Sequence, residues 1–157
     1  MISTLTKETY EKLISHLVDI EDKKDQLIEE YFPNPSKERS EFKELLSNYL
    51  NKINLLIKNV SIVEASENDF PFVIVGSEVE VQDLENDDAF SFRIVPPFQD
   101  TLGSNDVSIL SPVGRNLLLK KVNDQVIIKA PAGEFRYQIK SIKLNQLSWL
   151  YERRDNH

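Results

Sequence analysis

The chain has 157 residues and no cysteine, and 19 Lys and Arg against 26 Asp and Glu leave a formal charge of -7. Disulfides, thiolate metal sites and a cysteine nucleophile are excluded. With only His16 and His157 to offer imidazole, no zinc site is expected, and the net acidity speaks against a protein built to grip nucleic-acid phosphates or to read DNA sequence directly. No apolar run approaches the ~20 residues of a membrane span, and Met1 to Lys7 lack a cationic segment leading into an apolar core, so a soluble cytoplasmic protein is the expectation.

Composition changes near residue 65. Glycine is absent before it, and the only prolines there are Pro33 and Pro35; all four glycines and the other five prolines follow. This predicts a helical first domain over residues 1–64, a β-rich second domain over 70–144 and a C-terminal extension over 145–157. In the first domain, Tyr10, Leu13, Leu17, Ile20, Leu27 and Tyr31 form one apolar seam of period about 3.5, with Lys24 at the missing position. Phe42, Leu46, Tyr49, Ile53, Leu56 and Val60 form a second. Between them Pro33 and Pro35 cannot continue a helix, and Asn34 with Pro35 after it suits an N-cap and first helical position. The expectation is an antiparallel coiled-coil hairpin with arms roughly 36 Å long at 1.5 Å per residue.

In the second domain, Val73, Val75, Val79 and Val81 alternate as a strand would. Glu85 to Asp88 read as a polar turn, Phe90, Phe92 and Ile94 as a further strand, and Pro96-Pro97 as its stop. Val107 and Ile109 make a short strand. Pro112 to Lys121 reads as a short helix capped by Ser111. Val126 to Lys129 and Phe135 to Ile142 are the last strands, joined through Pro131, Ala132 and Gly133. Alternation places most of Phe90, Phe92, Phe98, Phe135, Tyr137 and Trp149 in an ordinary core. In the extension, Leu147, Trp149, Leu150 and Tyr151 either cap the domain or form a dimer contact.

Candidate chemistry is sparse. There is no Gly-rich phosphate loop and no Ser/His/Asp set. His16, one residue off its seam, reads as a solvated or half-buried helix residue rather than a base. Asp83 to Asp88 lack the glycine and closing glutamate of a calcium loop and read as a solvated turn. The carboxylates that invite attention lie at the hairpin tip, where Glu29 and Glu30 close the first helix and Glu38 and Glu41 open the second. Glu29 and Glu30 oppose the helix dipole at that end. They read either as a solvated acidic face or as ligands for a metal presented by a partner.

Specific words in the second half carry a resemblance. The run Gly76 to Leu84, then Phe92 to Val95, Ser108 to Arg115 and Lys129 to Glu134 are similar to the C-terminal domain of the bacterial GreA/GreB transcript cleavage factors. The most specific word is Ser108 to Gly114, with its Ser-Pro-Val-Gly end. Tyr10 to Leu13 and Lys58 to Val63 match the hairpin arms, so the resemblance spans about residues 6 to 143. It implies an α+β protein: the coiled-coil hairpin followed by an FKBP-like domain with one short helix. It implies docking on RNA polymerase at the secondary channel through Ser111, Pro112, Val113, Gly114 and Arg115.

In the family an Asp and a Glu at the tip help hold a second magnesium ion in the polymerase active site, and the polymerase itself cleaves the transcript. Here Asn34 stands where the Asp would be and Lys37 where the Glu would be, and the hairpin is shorter by roughly one to two turns per arm. An amide and an ammonium do not suit a hard cation. The expectation is thus a non-enzymatic regulator of polymerase that carries no metal or cofactor of its own and does not stimulate cleavage. Two alternatives stay open: a genuine cleavage factor that uses Glu29, Glu30 or Glu38, and an FKBP-like binding module unrelated to polymerase.

Overall fold

The computed structural model describes residues 3–65, 70–97, 103 and 105–144. The chain divides into two compact units, Met1–Glu67 and Asn68–His157. The extension beyond residue 144, with Trp149, lies outside the described residues, as does Phe98. Among the described residues no helix is long and apolar enough to cross a membrane.

The first unit is a helical hairpin closed at its base by a short ladder. Strand β1 (Thr4–Thr6) leads into α1 (Lys7–Tyr31), with Thr6 as N-cap accepting from the Thr9 amide at 3.2 Å. Helix α2 (Lys37–Asn59) returns along α1 and is followed by β2 (Ser61–Val63). β1 and β2 pair in parallel, Thr4 with Ser61 and Thr6 with Val63. This ladder has no sequence signature, because three residues are too few for a period of two to show. The cap of α2 differs from the expectation. Ser36 caps it, not Asn34, and its Oγ accepts from the Arg39 amide at 3.0 Å. Ser36 is an equally good cap, and α2 begins at Lys37, after Pro35 rather than with it.

The seams pack as their spacing demands. Leu13, Leu17, Ile20 and Leu27 are buried with Phe42, Leu46, Tyr49, Ile53 and Leu56, while Tyr10, Tyr31 and Val60 at the ends are half-buried. His16 corrects the reading from sequence: it is buried inside the hairpin. Ile20 is fully enclosed. Its replacement by alanine is expected to cost about 2–5 kcal/mol, read as an earlier urea midpoint for loss of helical circular dichroism.

The second unit is a five-stranded mixed sheet with one short helix. Strands β3 (Ser77–Asp83), β4 (Ala89–Val95), β5 (Asp106–Ser108), β6 (Gln125–Ala130) and β7 (Gly133–Leu144) lie in the order β5-β4-β3-β7-β6, antiparallel except for β4 with β5. Val79, Val81, Ile94, Val126, Ile128, Ile139 and Ile142 are buried. Helix α3 (Pro112–Leu117) packs against β5 and β6. The architecture is α+β, as the resemblance implied.

Four details of this unit depart from the sequence reading. Val73 and Val75 are buried but precede the strand, because Gly76 turns the chain at φ 97° and β3 starts only at Ser77. Helix α3 stops at Leu117, four residues early. Leu119 takes a positive φ of 69° and donates its amide to the Val73 carbonyl at 2.8 Å, which draws the chain off the helix axis. Asp83 is buried rather than solvated, and its Oδ1 accepts from the amides of Glu85 and Asn86, fastening the turn. Phe90, assigned to the core by alternation, is 42% exposed. Alternation tells which face a side chain is on, not whether that face is covered.

Candidate functional site

Two places collect the residues singled out from sequence: the hairpin tip in the first unit and the start of α3 in the second. At the tip, α1 ends on Phe32, whose amide donates to the Ile28 carbonyl at 2.8 Å. The Phe32 ring packs on Phe42 at 5.2 Å between centroids, so the loop is anchored to the seam. Arg39 spans the loop. Its Nη1 donates to the Phe32 carbonyl and its Nη2 to Glu29 Oε1, both at 2.7 Å. Ser36 fixes the Arg39 amide in the first turn of α2, which brings its side chain within reach of the last turn of α1.

Glu29 is therefore engaged by a guanidinium, although its side chain stays largely exposed. Glu30, Asn34, Lys37 and Glu38 are all exposed. Lys37 and Glu38 are the first two residues of α2, where Glu38 complements the helix dipole and Lys37 opposes it. Among the described residues no three acidic or imidazole side chains group to hold a metal. Arg39 was passed over in the sequence. Its one signal is position: it stands in the first turn of α2, within reach of the last turn of α1 once a hairpin is assumed.

His16 has no place in either site. Its Nε2 and Tyr49 Oη share a hydrogen bond of 2.8 Å, and the two rings meet edge to face at 5.8 Å. Burial lowers its pKa to about 3, so the ring is neutral near pH 7.

The start of α3 is tightly made. Ser111 Oγ accepts from the Gly114 amide at 3.1 Å and donates to the Ser108 carbonyl at 2.7 Å. Arg115 Nη2 donates to the Leu110 carbonyl at 2.8 Å. Gly114 is buried, and a Cβ there would lie 2.0 Å from the Ser108 carbonyl oxygen. Only glycine permits that approach. The strand leading in is pinned by Arg93, whose Nε and Nη2 donate to the two Asp106 oxygens at 2.8 and 2.7 Å. What this turn presents outward is Pro112 and Arg115, with Val113 half-buried between them.

Comparison with known proteins gives this geometry its context. Residues 67–144 match the family described as transcription elongation factor, GreA/GreB, C-terminal. Transcription elongation factor GreA of Thermosipho melanesiensis is 30% identical over 151 residues, covering 89% of this chain and 96% of that protein. GreA of Thermotoga petrophila is 32% identical over 149 residues, covering 88% and 95%. This chain belongs to the GreA/GreB family of transcription elongation factors. A solved GreA/GreB structure from Nitrosomonas europaea aligns with a TM-score of 0.48 at 18% identity, covering 91% of this chain and 98% of that one. The segment matched to the GreA/GreB family holds the α3 start but not the tip; the alignments with the GreA proteins extend well into the hairpin.

Proposed function

We propose that this GreA/GreB-family chain binds bacterial RNA polymerase through the α3 start, with its hairpin in the secondary channel, and does not stimulate transcript cleavage. The observation that carries the reading is the Arg39 clamp. A tip that contributes to a magnesium site needs free anionic oxygens, because a hard cation must be repaid for lost water. Here Glu29 faces a guanidinium at 2.7 Å, and Lys37 adds a second cation to the same loop. At the positions matched to the family's acidic pair, Asn34 and Lys37 offer an amide and an ammonium, which do not suit a divalent ion, and Glu30 and Glu38 are the exposed carboxylates that remain. A protein so built acts by occupancy: it competes for the channel or alters elongation without supplying a catalytic ligand.

Docking is assigned to Pro112, Val113 and Arg115, held rigid by Ser111 and Gly114. Val113→Asp is expected to weaken binding to core polymerase by about tenfold or more, since a desolvated, unpaired carboxylate costs a few kcal/mol. Full affinity in a folded variant would remove the assignment.

The function is tested by adding the protein and magnesium to a backtracked polymerase complex. The expected result is 3′-fragment release at the polymerase's own rate. Rapid release, abolished by Glu38→Gln or Glu30→Gln, would show instead a cleavage factor with substitute ligands. Absence of any binding to polymerase would point to a module with another partner.

A further inference from the structure

Four aromatic rings lie together at one end of the core face of the second unit. Strand register places Phe92 opposite Val79 and Phe90 opposite Val81, and it places Tyr137 opposite Asp83 and Val126 and Phe135 opposite Ile128. The rings of Phe90, Phe92 and Tyr137 meet pairwise at 6.0 to 6.4 Å, and Phe135 stacks on Tyr137 at 6.3 Å. Toward the middle of the sheet this face is fully buried, but here the cover ends. Phe92 and Phe135 are half-buried, and Phe90 is exposed. Aromatic clusters of this kind are the usual anchors of protein contacts.

The rim is acidic. Asp83 lies on the same face, and burial first, then its carboxylate, raise the Tyr137 hydroxyl above its ordinary pKa. The turn beyond it carries the exposed Glu85 and Asp88, and Asp88 shares its parity with Phe90, whereas Asp87 accepts from the Gln82 side-chain amide on the other face. The cations of this end, Lys129 and Arg136, alternate with Ile128 and with Phe135 and Tyr137, which puts them on the opposite face. Ring faces bordered by carboxylates attract a guanidinium or ammonium on an apolar stem.

We propose that this open aromatic end is a second docking surface, and that its occupant is a basic, apolar peptide segment of a partner protein, an Arg or Lys flanked by Leu-like side chains. It is separate from the α3 start. Phe90 lies five positions along β4 from Val95, about 17 Å at 3.4 Å per residue, and Val95 is the residue paired with Ser108 beneath that helix start.

The test uses the full-length protein and two labelled peptides of equal length, one alternating Arg with Leu and one alternating Glu with Leu, read by fluorescence anisotropy at moderate salt. The Arg-Leu peptide is expected to bind saturably and the Glu-Leu peptide to bind at least about tenfold more weakly. Phe90→Ser and, separately, Asp88→Lys are each expected to weaken Arg-Leu binding several-fold. Asp88 lies in an exposed turn, so this second variant keeps the test alive if Phe90→Ser does not fold. Equal binding of the two peptides, no saturable binding of the Arg-Leu peptide, or unchanged affinity in folded Asp88→Lys would overturn the proposal.

Discussion

Gly114→Ala is expected to cost the second unit far more stability than Gly103→Ala. An added Cβ at this position would sit 2.0 Å from the Ser108 carbonyl oxygen and 2.8 Å from its carbon, far inside contact distance. The obstacle is backbone, not the end of a flexible side chain, so relief requires moving the α3 start away from β5. That movement breaks the Ser111 cap, which joins the Gly114 amide to the Ser108 carbonyl through one hydroxyl. Overpacking costs about 1–3 kcal/mol and a lost cap about 1 kcal/mol; because one displacement trades the clash for the broken cap, the two are coupled and the expected total stays at about 1–3 kcal/mol. Thermal unfolding of the variant should begin several degrees early. Gly103→Ala is the internal control, since a Cβ there makes only ordinary contacts with Asp106. Equal stability of the two variants would show that the close approach is not made in solution.

The second large effect is on the hairpin and depends on pH. Buried His16 has its pKa lowered from 6.5 to about 3. Between those values the unfolded chain binds a proton that the folded hairpin refuses. Stability is therefore full above about pH 6.5 and falls as pH drops, by about 1.4 kcal/mol per pH unit, until the folded pKa near 3 is reached. Carboxylates also titrate in that range, so the informative quantity is a difference. His16→Gln cannot take up a proton and keeps a polar group facing Tyr49. Its urea midpoint is expected to fall less steeply between pH 6 and pH 4 than that of the natural sequence. Parallel profiles would mean that His16 meets solvent in the folded state.

The two helices and most strands are legible in the sequence because they repeat. A seam such as Phe42, Leu46, Tyr49, Ile53 and Leu56 has a period long enough to be recognised, and Ser111 before Pro112 announces its helix locally. What stayed hidden depends on residues that only the fold brings together. His16 looks solvated because it stands off its seam, and its partner Tyr49 lies on the other arm. Arg39 gives no sign of its bond to Glu29 until the hairpin closes. Val73 and Val75 imitate a strand, yet both precede β3, and the backbone bonds of Val73 reach Lys120 and Leu119 outside any ladder. Of the candidate site, the residue types at the tip can be read directly; their pairing cannot.

The parallel ladder of β1 with β2 bears on the order of assembly. It joins Thr4 to Ser61, at the two extremes of the first unit, whereas the Ser36 cap and the Phe32–Phe42 contact join near neighbours. Chain-closure entropy rises with the loop enclosed, so the nearby contacts form at least cost and the distant ladder at most. The hairpin is therefore built to zip from its proline-bounded tip toward its base. The last hydrogen bonds to form on folding, those between the two short strands, are then the first to open when the hairpin frays.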